Sequence, residues 1–369
     1  MLNLFTVANF HNTSHLIQNL LKYCVLDGDK IAELKDTVHS ILKRLKVCEL
    51  SILLQALESR GGDVSSCVFY PFDDRIGKRI IHEPHLIVYR TFRQPGIQSV
   101  SELKHLAVCS RHDVTNEKIC INPYHYSAVV QIEPTARRST QDKSKADTKK
   151  DECSNSSGFV SNYTPSTSME TTVSSIPLSE NPRKPKEWPK RCWCCVAYWE
   201  HNDRIGPLYH QYQHHNILNI FESLPVSNTA KGMCLATLYR DAKASDSTKR
   251  VRNHIGFGLQ LSREEDGIWM YNRSDFSLFA NGPTLSERNS EFTCRHNTIV
   301  HKVPPGYSLK LYDYTESPRT CQSYGDDVSS VPHSVRVSFA KGWGNTLSTT
   351  YRRQFVTSCP CWVEIHFFV

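Results

Sequence analysis

Apolar residues recur at helical spacing three times near the N-terminus. Leu16, Ile17, Leu20 and Leu21 share one face of a short helix that Thr13 or Ser14 can cap. Ile31, Leu34, Val38, Ile41, Leu42 and Leu45 define a stronger one, with Lys35, Lys43, Arg44 and Lys46 elsewhere on its surface. A third runs from near Glu49 through Leu50, Leu53, Leu54 and Leu57, and Gly61-Gly62 supplies the left-handed residues that end it. The chain then turns to strands: Val68-Phe69-Tyr70 and His85-Leu86-Ile87-Val88-Tyr89-Arg90 bracket a charged connection. Together these predict a small α+β unit ending near Val130.

From about Gln131 to Pro189 the residues are Ser, Thr, Lys, Asp, Asn and Pro with few aliphatics, too little apolar surface to offset ordering entropy. This stretch predicts a disordered linker, in which Thr164-Pro165 is a candidate proline-directed phosphorylation site. From Cys192 short strands separated by turns predict an all-β sandwich. Trp193 to Glu200 opens it; Ile255 to Leu261 and Gly267 to Tyr271 form a hairpin across Arg263-Glu264-Glu265-Asp266; Leu309 to Tyr314, Val335 to Ala340 and Cys361 to Phe368 follow. Asp246 to His254 reads as a short helix with its cations on one side, and Glu316 through Pro332 is polar and broken by proline. The expected domains are 10–130, a linker at 131–189, and 190–369.

Charge narrows the partners only slightly. Forty-four Lys and Arg against 37 Asp and Glu give a net +7, which favours acidic partners: a phosphopeptide, an acidic receptor segment or DNA. No window of roughly 18 apolar residues exists, and the N-terminus lacks a basic region with a small-residue cleavage site. The expectation is a soluble intracellular protein with no membrane insertion. In that setting the 14 cysteines read as metal ligands and buried thiols rather than disulfides. Cys67, Cys109, Cys120 and His125 offer three thiolates and one imidazole, the closed tetrahedral set that structural Zn²⁺ prefers. Spacing alone leaves open that Cys67 and Cys109 are simply buried thiols. His210, His214 and His215 read as a solvated loop, and Cys194-Cys195 and Cys359-Pro360-Cys361 as buried thiols. No nucleophile, base and orienter set stands out, and four protein ligands leave a metal no place for an activated water, so an enzyme is not expected.

Five further stretches sharpen the reading. They are Trp193 to Glu200, Ile255 to Ser274, His301 to Tyr314, Ser338 to Gly344 and Cys359 to Phe367, beside Cys120-Ile121-Asn122-Pro123-Tyr124-His125-Tyr126 in the first domain. In this order they resemble the Smad family, over most of the chain outside the linker. The resemblance implies a zinc-bound N-terminal Mad-homology domain and a C-terminal Mad-homology domain built as an FHA-like sandwich with helices and loops. Leu53 to Gly62 and Gln354 to Trp362 are similar to the inhibitory branch, and the sequence stops at Val369 without the Ser-x-Ser tail expected of receptor-activated members.

That branch implies an inhibitor of TGF-β superfamily signalling (TGF-β, BMP or activin), present in cytoplasm and nucleus. It would bind activated type I receptors and other Smads without being phosphorylated. Its receptor surface would use Lys341, Arg352 and Arg353 of the L3 loop with Arg250 and His254, the last standing where a lysine is expected. Asn345 to Thr350 lengthens L3, Arg352 is similar to the activin/TGF-β type of loop and Phe355 to the inhibitory type, so the receptor branch stays open. The alternative is a DNA-binding Smad co-repressor in the nucleus. Arg75, Lys78 and Arg79 occupy the family's DNA hairpin, but the run is short and follows Asp73-Asp74, so weak phosphate neutralisation is expected rather than base reading. Lys43-Arg44-Leu45-Lys46 sits where the family carries a basic import helix, or is a solvated face. The linker has no Pro-Pro-x-Tyr ligand; Pro304-Pro305-Gly306-Tyr307 opens a strand where Tyr307 packs, so ubiquitin ligase recruitment by the usual route is not expected.

Overall fold

In the computed structural model, residues 13–25, 31–62, 65–76, 79–113, 115–131, 192–224, 232–239, 243–285, 299–316, 333–344 and 351–368 are described. The apolar stripes near the N-terminus form the expected helices α1 (13–21), α2 (Ile31–Leu42) and α3 (Val47–Glu58). Ile17 and Leu20, then Val38, Ile41 and Leu42, then Leu50, Leu53 and Leu57 meet in one cluster. After α3 the chain reverses at Gly61, whose φ of +70° suits glycine and whose amide bonds the Ala56 carbonyl at 3.0 Å. The strands β1 (Phe69–Pro71), β2 (Asp73–Ile76) and β3 (Arg79–His82) follow, with β2 and β3 as an antiparallel pair.

One expected strand is a helix. His85 to Arg90 lies inside α4 (Pro84–Phe92). Seven of its nine residues are buried, so neither face shows a helical stripe, and a short apolar run fits a strand equally well. Pro84 in the first turn, where a missing N–H costs nothing, is the local feature that favours the helix. Beyond it come β4 (Leu103–His105), β5 (Lys118–Cys120) and β6 (Tyr126–Val129), with β5 antiparallel to β1 and Cys120 opposite Phe69.

The C-terminal part contributes β7 (Cys192–Glu200), β8 (Asp203–Tyr212), β9 (Ile217–Phe221), β10 (Gly232–Cys234), α5 (Leu235–Leu238), α6 (Asp246–Ile255), β11 (Leu259–Glu264) and β12 (Gly267–Asn272). It finishes with β13 (Leu278–Asn281), β14 (His301–Val303), β15 (Tyr307–Asp313), β16 (His333–Phe339) and β17 (Trp362–Phe367). The β11–β12 hairpin is present as expected, but Ile255 ends α6 rather than starting the strand. The polar, proline-broken stretch after Glu316, apart from the strand at its end, and the lengthened part of L3 lie outside the described residues.

Two sheets face each other. Their orders are β10-β9-β11-β12-β15-β6-β4 and β14-β13-β16-β17-β7-β8. Leu218, Ile220, Leu259, Leu261, Ile268 and Leu309 of the first sheet pack against Val196, Tyr198, Val337, Val363 and Ile365 of the second. β7 is buried on both faces: Cys194, Val196 and Tyr198 enter this core, while Ala197 and Trp199 join a second cluster with Trp343, Val356, Cys359 and Trp362.

The first sheet also crosses between the two homology regions. β6 pairs in parallel with β15, Tyr307 beside Ala128 and Ser308 beside Val129. The described parts of Met1–Glu133 and Arg191–Val369 accordingly belong to one compact unit.

A buried ion pair fixes α6 against the sandwich. Arg252 Nε and Nη2 donate to the two oxygens of Glu200 at 2.6 and 2.8 Å, Tyr198 donates to the same carboxylate at 2.9 Å, and the guanidinium lies 3.9 Å from the Tyr239 ring centroid. Both charged residues are under a tenth exposed. Removing one partner of such a pair strands the other charge, at about 3–5 kcal/mol. Arg252→Ala is therefore expected to lower the urea unfolding free energy by about that amount, and Arg252→Leu combined with Glu200→Leu to recover much of it; equal losses in both variants would contradict this.

Candidate metal centre and basic groove

Three segments distant in sequence bring Cys67, Cys109, Cys120 and His125 together. Cys67 precedes β1, Cys120 ends β5, and Asn122 caps a single 3₁₀ turn, Pro123–His125, by accepting the Tyr124 amide at 3.0 Å. That turn swings His125 back over Cys120. The donor atoms of the four residues all lie within 4.8 Å of one another. Cys67 Sγ is 3.9 Å from Cys109 Sγ and 3.4 Å from His125 Nδ1, and Cys120 Sγ is 3.5 Å from His125 Nδ1. His125 Nε2 contacts the Ser65 carbonyl at 3.1 Å; that bond needs the proton on Nε2 and leaves the Nδ1 lone pair facing the sulfurs.

The electrostatics match the chemistry of a metal site. Hydrogen bonds from Cys109 and Cys120 hold the Cys67 thiol well below the usual thiol range. Burial pulls His125 down, but the Cys109 and Cys67 sulfurs outweigh it and raise the imidazole to about 9. Metal ligation requires the thiols and the Nδ1 position to give up their protons, so binding of a cation here releases protons. Among the described residues no other group of His, Cys, Asp or Glu converges this way, and the rings of His214 and His215 meet tilted with centroids 4.1 Å apart.

The basic segment is anchored on the second cluster. After β16, Ala340 turns the chain at φ +57°, and the Lys341 carbonyl accepts from Ser338 Oγ at 2.7 Å and Cys359 Sγ at 3.5 Å. The Gly344 amide donates to Arg353 at 2.7 Å and the Tyr351 amide to Gly344 at 2.9 Å, tying the two ends of the loop. Trp343 is buried below it, and Tyr351 packs edge-on to Phe279 at 5.3 Å. Arg353 lies near enough to Cys359 to lower a thiol that burial raises. The Lys341 main chain is thus held at Cys359 and the Arg353 main chain at Gly344, and Arg352 is exposed on the same loop end.

The helix candidates divide. Arg250 is exposed on α6, which Cys361 Sγ reaches through the Thr248 carbonyl at 3.9 Å, so it approaches the same end of β17. His254 stacks on Phe276 at 3.9 Å, and no described contact joins it to the loop. Arg252, between them, was not a candidate by sequence although Thr248, Val251, Arg252 and Ile255 form the buried face at i, i+3, i+4 and i+7 spacing.

The DNA candidates are not assembled. Arg75 is exposed on β2, opposite Ile80; Lys78 lies outside the described residues, and for Arg79 only the strand backbone is described. Arg44 pairs with Asp74 and donates to the Arg75 carbonyl at 2.9 Å, so one cation of the basic helix is tied to the hairpin's own carboxylate. Pro304-Pro305-Gly306-Tyr307 is bound within the fold: Gln94 donates to the Pro305 carbonyl at 3.0 Å, Gly306 bonds Asn272 and Ala128, and Tyr307 is half-buried.

A cluster of four candidate metal donors in an α+β domain, joined to a sandwich that carries a cationic loop, is the arrangement of a two-domain signalling protein of the Mad-homology class. Family models agree, matching an MH1 domain at residues 34–130 and an MH2 domain at 191–368. The chain belongs to the Smad family, in its inhibitory branch, and is not an enzyme. It is similar to "Mothers against decapentaplegic homolog 6" of Gallus gallus, 39% identical over 343 residues covering 90% of this chain and 74% of that one. It is likewise similar to "Mothers against decapentaplegic homolog 7" of Homo sapiens, 35% identical with 92% and 79% covered. A solved structure titled "Crystal Structure of Interferon Regulatory Factor 9 IAD Domain" aligns at a TM-score of 0.32 with 11% identity, covering 49% of this chain and 85% of that one, too remote to add to the assignment.

Gly61 is the tightest support of the metal turn. A Cβ there would stand 2.5 Å from the ring of Tyr124, between two of the four donors, at a φ of +70° that disfavours any side chain. Gly61→Ala should cost at least about 1 kcal/mol of stability and loosen metal retention together, read by denaturant titration and by competition with a chelator.

Proposed function

We propose that this protein inhibits TGF-β superfamily signalling by occupancy, its C-terminal domain binding the phosphorylated segment of an activated type I receptor and so excluding the Smads that signal. The observation that carries this reading is the return of the loop's two ends to one place, the Lys341 carbonyl bound by Cys359 and the Arg353 carbonyl by Gly344, which sets Lys341, Arg352 and Arg353 on one loop with Arg352 exposed. Guanidinium forks bind phosphate oxygens with charge-assisted, often bidentate bonds. Among the described residues these three cations make no ion pair with a carboxylate of the chain, which leaves them available to a partner. Arg250 extends the surface from α6, and His254 contributes less because its ring is engaged with Phe276. Other Smads are further partners, and the protein acts in both cytoplasm and nucleus. Inhibition by occupancy scales with concentration over affinity.

Zn²⁺ is the proposed ion of the metal centre. Tetrahedral ligation with Zn–S near 2.3 Å and Zn–N near 2.0 Å places neighbouring sulfurs about 3.8 Å apart and sulfur to nitrogen about 3.5 Å apart. The Cys67–Cys109 separation of 3.9 Å and the sulfur–nitrogen distances of 3.4 and 3.5 Å fit that arrangement. With four protein ligands its role is structural. Protein purified without chelator should contain one zinc per chain by elemental analysis, and Cys120→Ser should contain little and unfold at lower temperature; wild-type protein free of zinc would refute the assignment.

The receptor reading is tested by titrating the full chain with a type I receptor juxtamembrane peptide in phosphorylated and unphosphorylated forms. Binding of the phosphopeptide alone is expected, with a loss of about a hundredfold or more in Lys341→Ala/Arg353→Ala, the worth of two charge-assisted bonds. Equal binding of both peptides, or full binding by the variant, would reject the mechanism.

A further inference from the structure

The seam between the two homology regions holds a half-open cavity of about 1040 Å³. Its lining of fixed charge is unbalanced: Arg60, Arg93 and Arg273 against Asp275 alone. Arg60 and Asp275 pair with each other at an exposed site, Nη1 to Oδ2 at 3.1 Å, and so cancel. The two inner arginines have no carboxylate partner among the described residues. Arg93 donates to the Tyr126 carbonyl at 3.1 Å and the Tyr271 hydroxyl at 3.0 Å, with its guanidinium 4.4 Å from the Tyr124 ring centroid. Arg273 donates to the Asn219 side-chain oxygen at 3.2 Å and to the Gly61 and Gly62 carbonyls at 2.7 and 3.3 Å, and burial pulls it below the ordinary guanidinium range. Both arginines are half-buried, and their donors go to carbonyl, amide and hydroxyl oxygens, so neither charge is neutralised by a carboxylate of the described residues and an anion reaching them gains charge-assisted bonds.

A second, independent feature points into the same seam. Gln94, which also lines the cavity, donates through its amide nitrogen to the Pro305 carbonyl, yet its side-chain oxygen is buried without a donor among the described residues. Anionic oxygens would answer the arginines, and a hydroxyl would answer Gln94. We propose that this cavity binds a small hydroxylated organic phosphate, held by Arg93 and Arg273 through phosphate and by Gln94 through a hydroxyl. Because its walls come from both regions, such a ligand would also strengthen the seam by binding only the closed arrangement. This site shares no residue with the receptor surface proposed above, so either can fail without the other.

The test uses the full chain at about 0.15 M salt, where weak exposed-charge binding is screened. The probes are fructose 1,6-bisphosphate, inorganic pyrophosphate and plain fructose, titrated by calorimetry into wild type, Arg273→Gln and Lys341→Ala/Arg353→Ala. The bisphosphate is expected to bind best, fructose not at all, and Arg273→Gln to weaken binding tenfold or more, while the loop variant leaves it unchanged. Hydrogen exchange on wild type guards against a misfolded Arg273→Gln: the bisphosphate should slow exchange at 60–62, 93–94 and 271–275. Protection confined to 250–254 and 341–353, loss of binding only in the loop variant, or no binding by any probe would overturn the site. Pyrophosphate binding as tightly as the bisphosphate would overturn the role given to the hydroxyl.

Discussion

A parallel pairing only two residues long, Tyr307 with Ala128 and Ser308 with Val129, carries the continuity between the two homology regions. It is short, and its neighbours make it durable. Ala128 and Val130 donate to Gly306 and Ser308 at 3.2 and 2.9 Å, and the hydroxyls of Ser127 and Ser308 meet at 2.7 Å in a buried position. Gly306 permits the approach: a Cβ there would stand 2.9 Å from Arg93 and from Gln94. Lys104 adds an ion pair to Glu264 at 2.6 Å across the same seam. β6 leads directly out of the metal turn at His125, so the ion's scaffold and the sandwich share one covalent and hydrogen-bonded frame.

Burial on both faces of β7 and β17 has a different consequence. One face completes the main core, and the other gives Trp199 and Trp362, stacked at 5.3 Å, to the platform on which Trp343, Tyr351 and Val356 rest. The cationic loop is therefore mounted on a rigid sheet rather than suspended between strands. Arg252 plays the matching part for α6, since its bond to Glu200 ties the helix to the end of β7 and leaves Arg250 outward. The charge that stabilises the helix and the charge that is free to meet a ligand are two residues apart and face opposite environments.

Local pattern was sufficient for most elements and for half of the candidate metal donors. Stripes at 3.6-residue spacing specify α1 to α3, turn residues around Asp266 specify the β11–β12 hairpin, and the Cys120–His125 spacing marks half of the metal set. These features depend on interactions between near neighbours in the chain, which repeat with the period of the element. α4 escaped because seven of its nine residues are buried, which erases the contrast between faces that a period requires. Arg252 was readable from its place on the buried face of α6, although a positive charge there runs against the usual preference for exposure.

Composition and spacing thus indicate the fold class, the Cys120–His125 half of the candidate metal set and the cationic character of the L3 segment. Long-range packing alone settles that the Lys341 carbonyl is bound by Cys359 and the Arg353 carbonyl by Gly344 while the His254 ring is engaged by Phe276, and that Arg93 and Arg273, 180 positions apart in the chain, line one cavity. The physical reason is the range of the forces involved. Helical and strand periods are written by contacts a few residues apart, whereas the partner of a charged side chain is chosen by whichever distant strand the sheet order brings beside it.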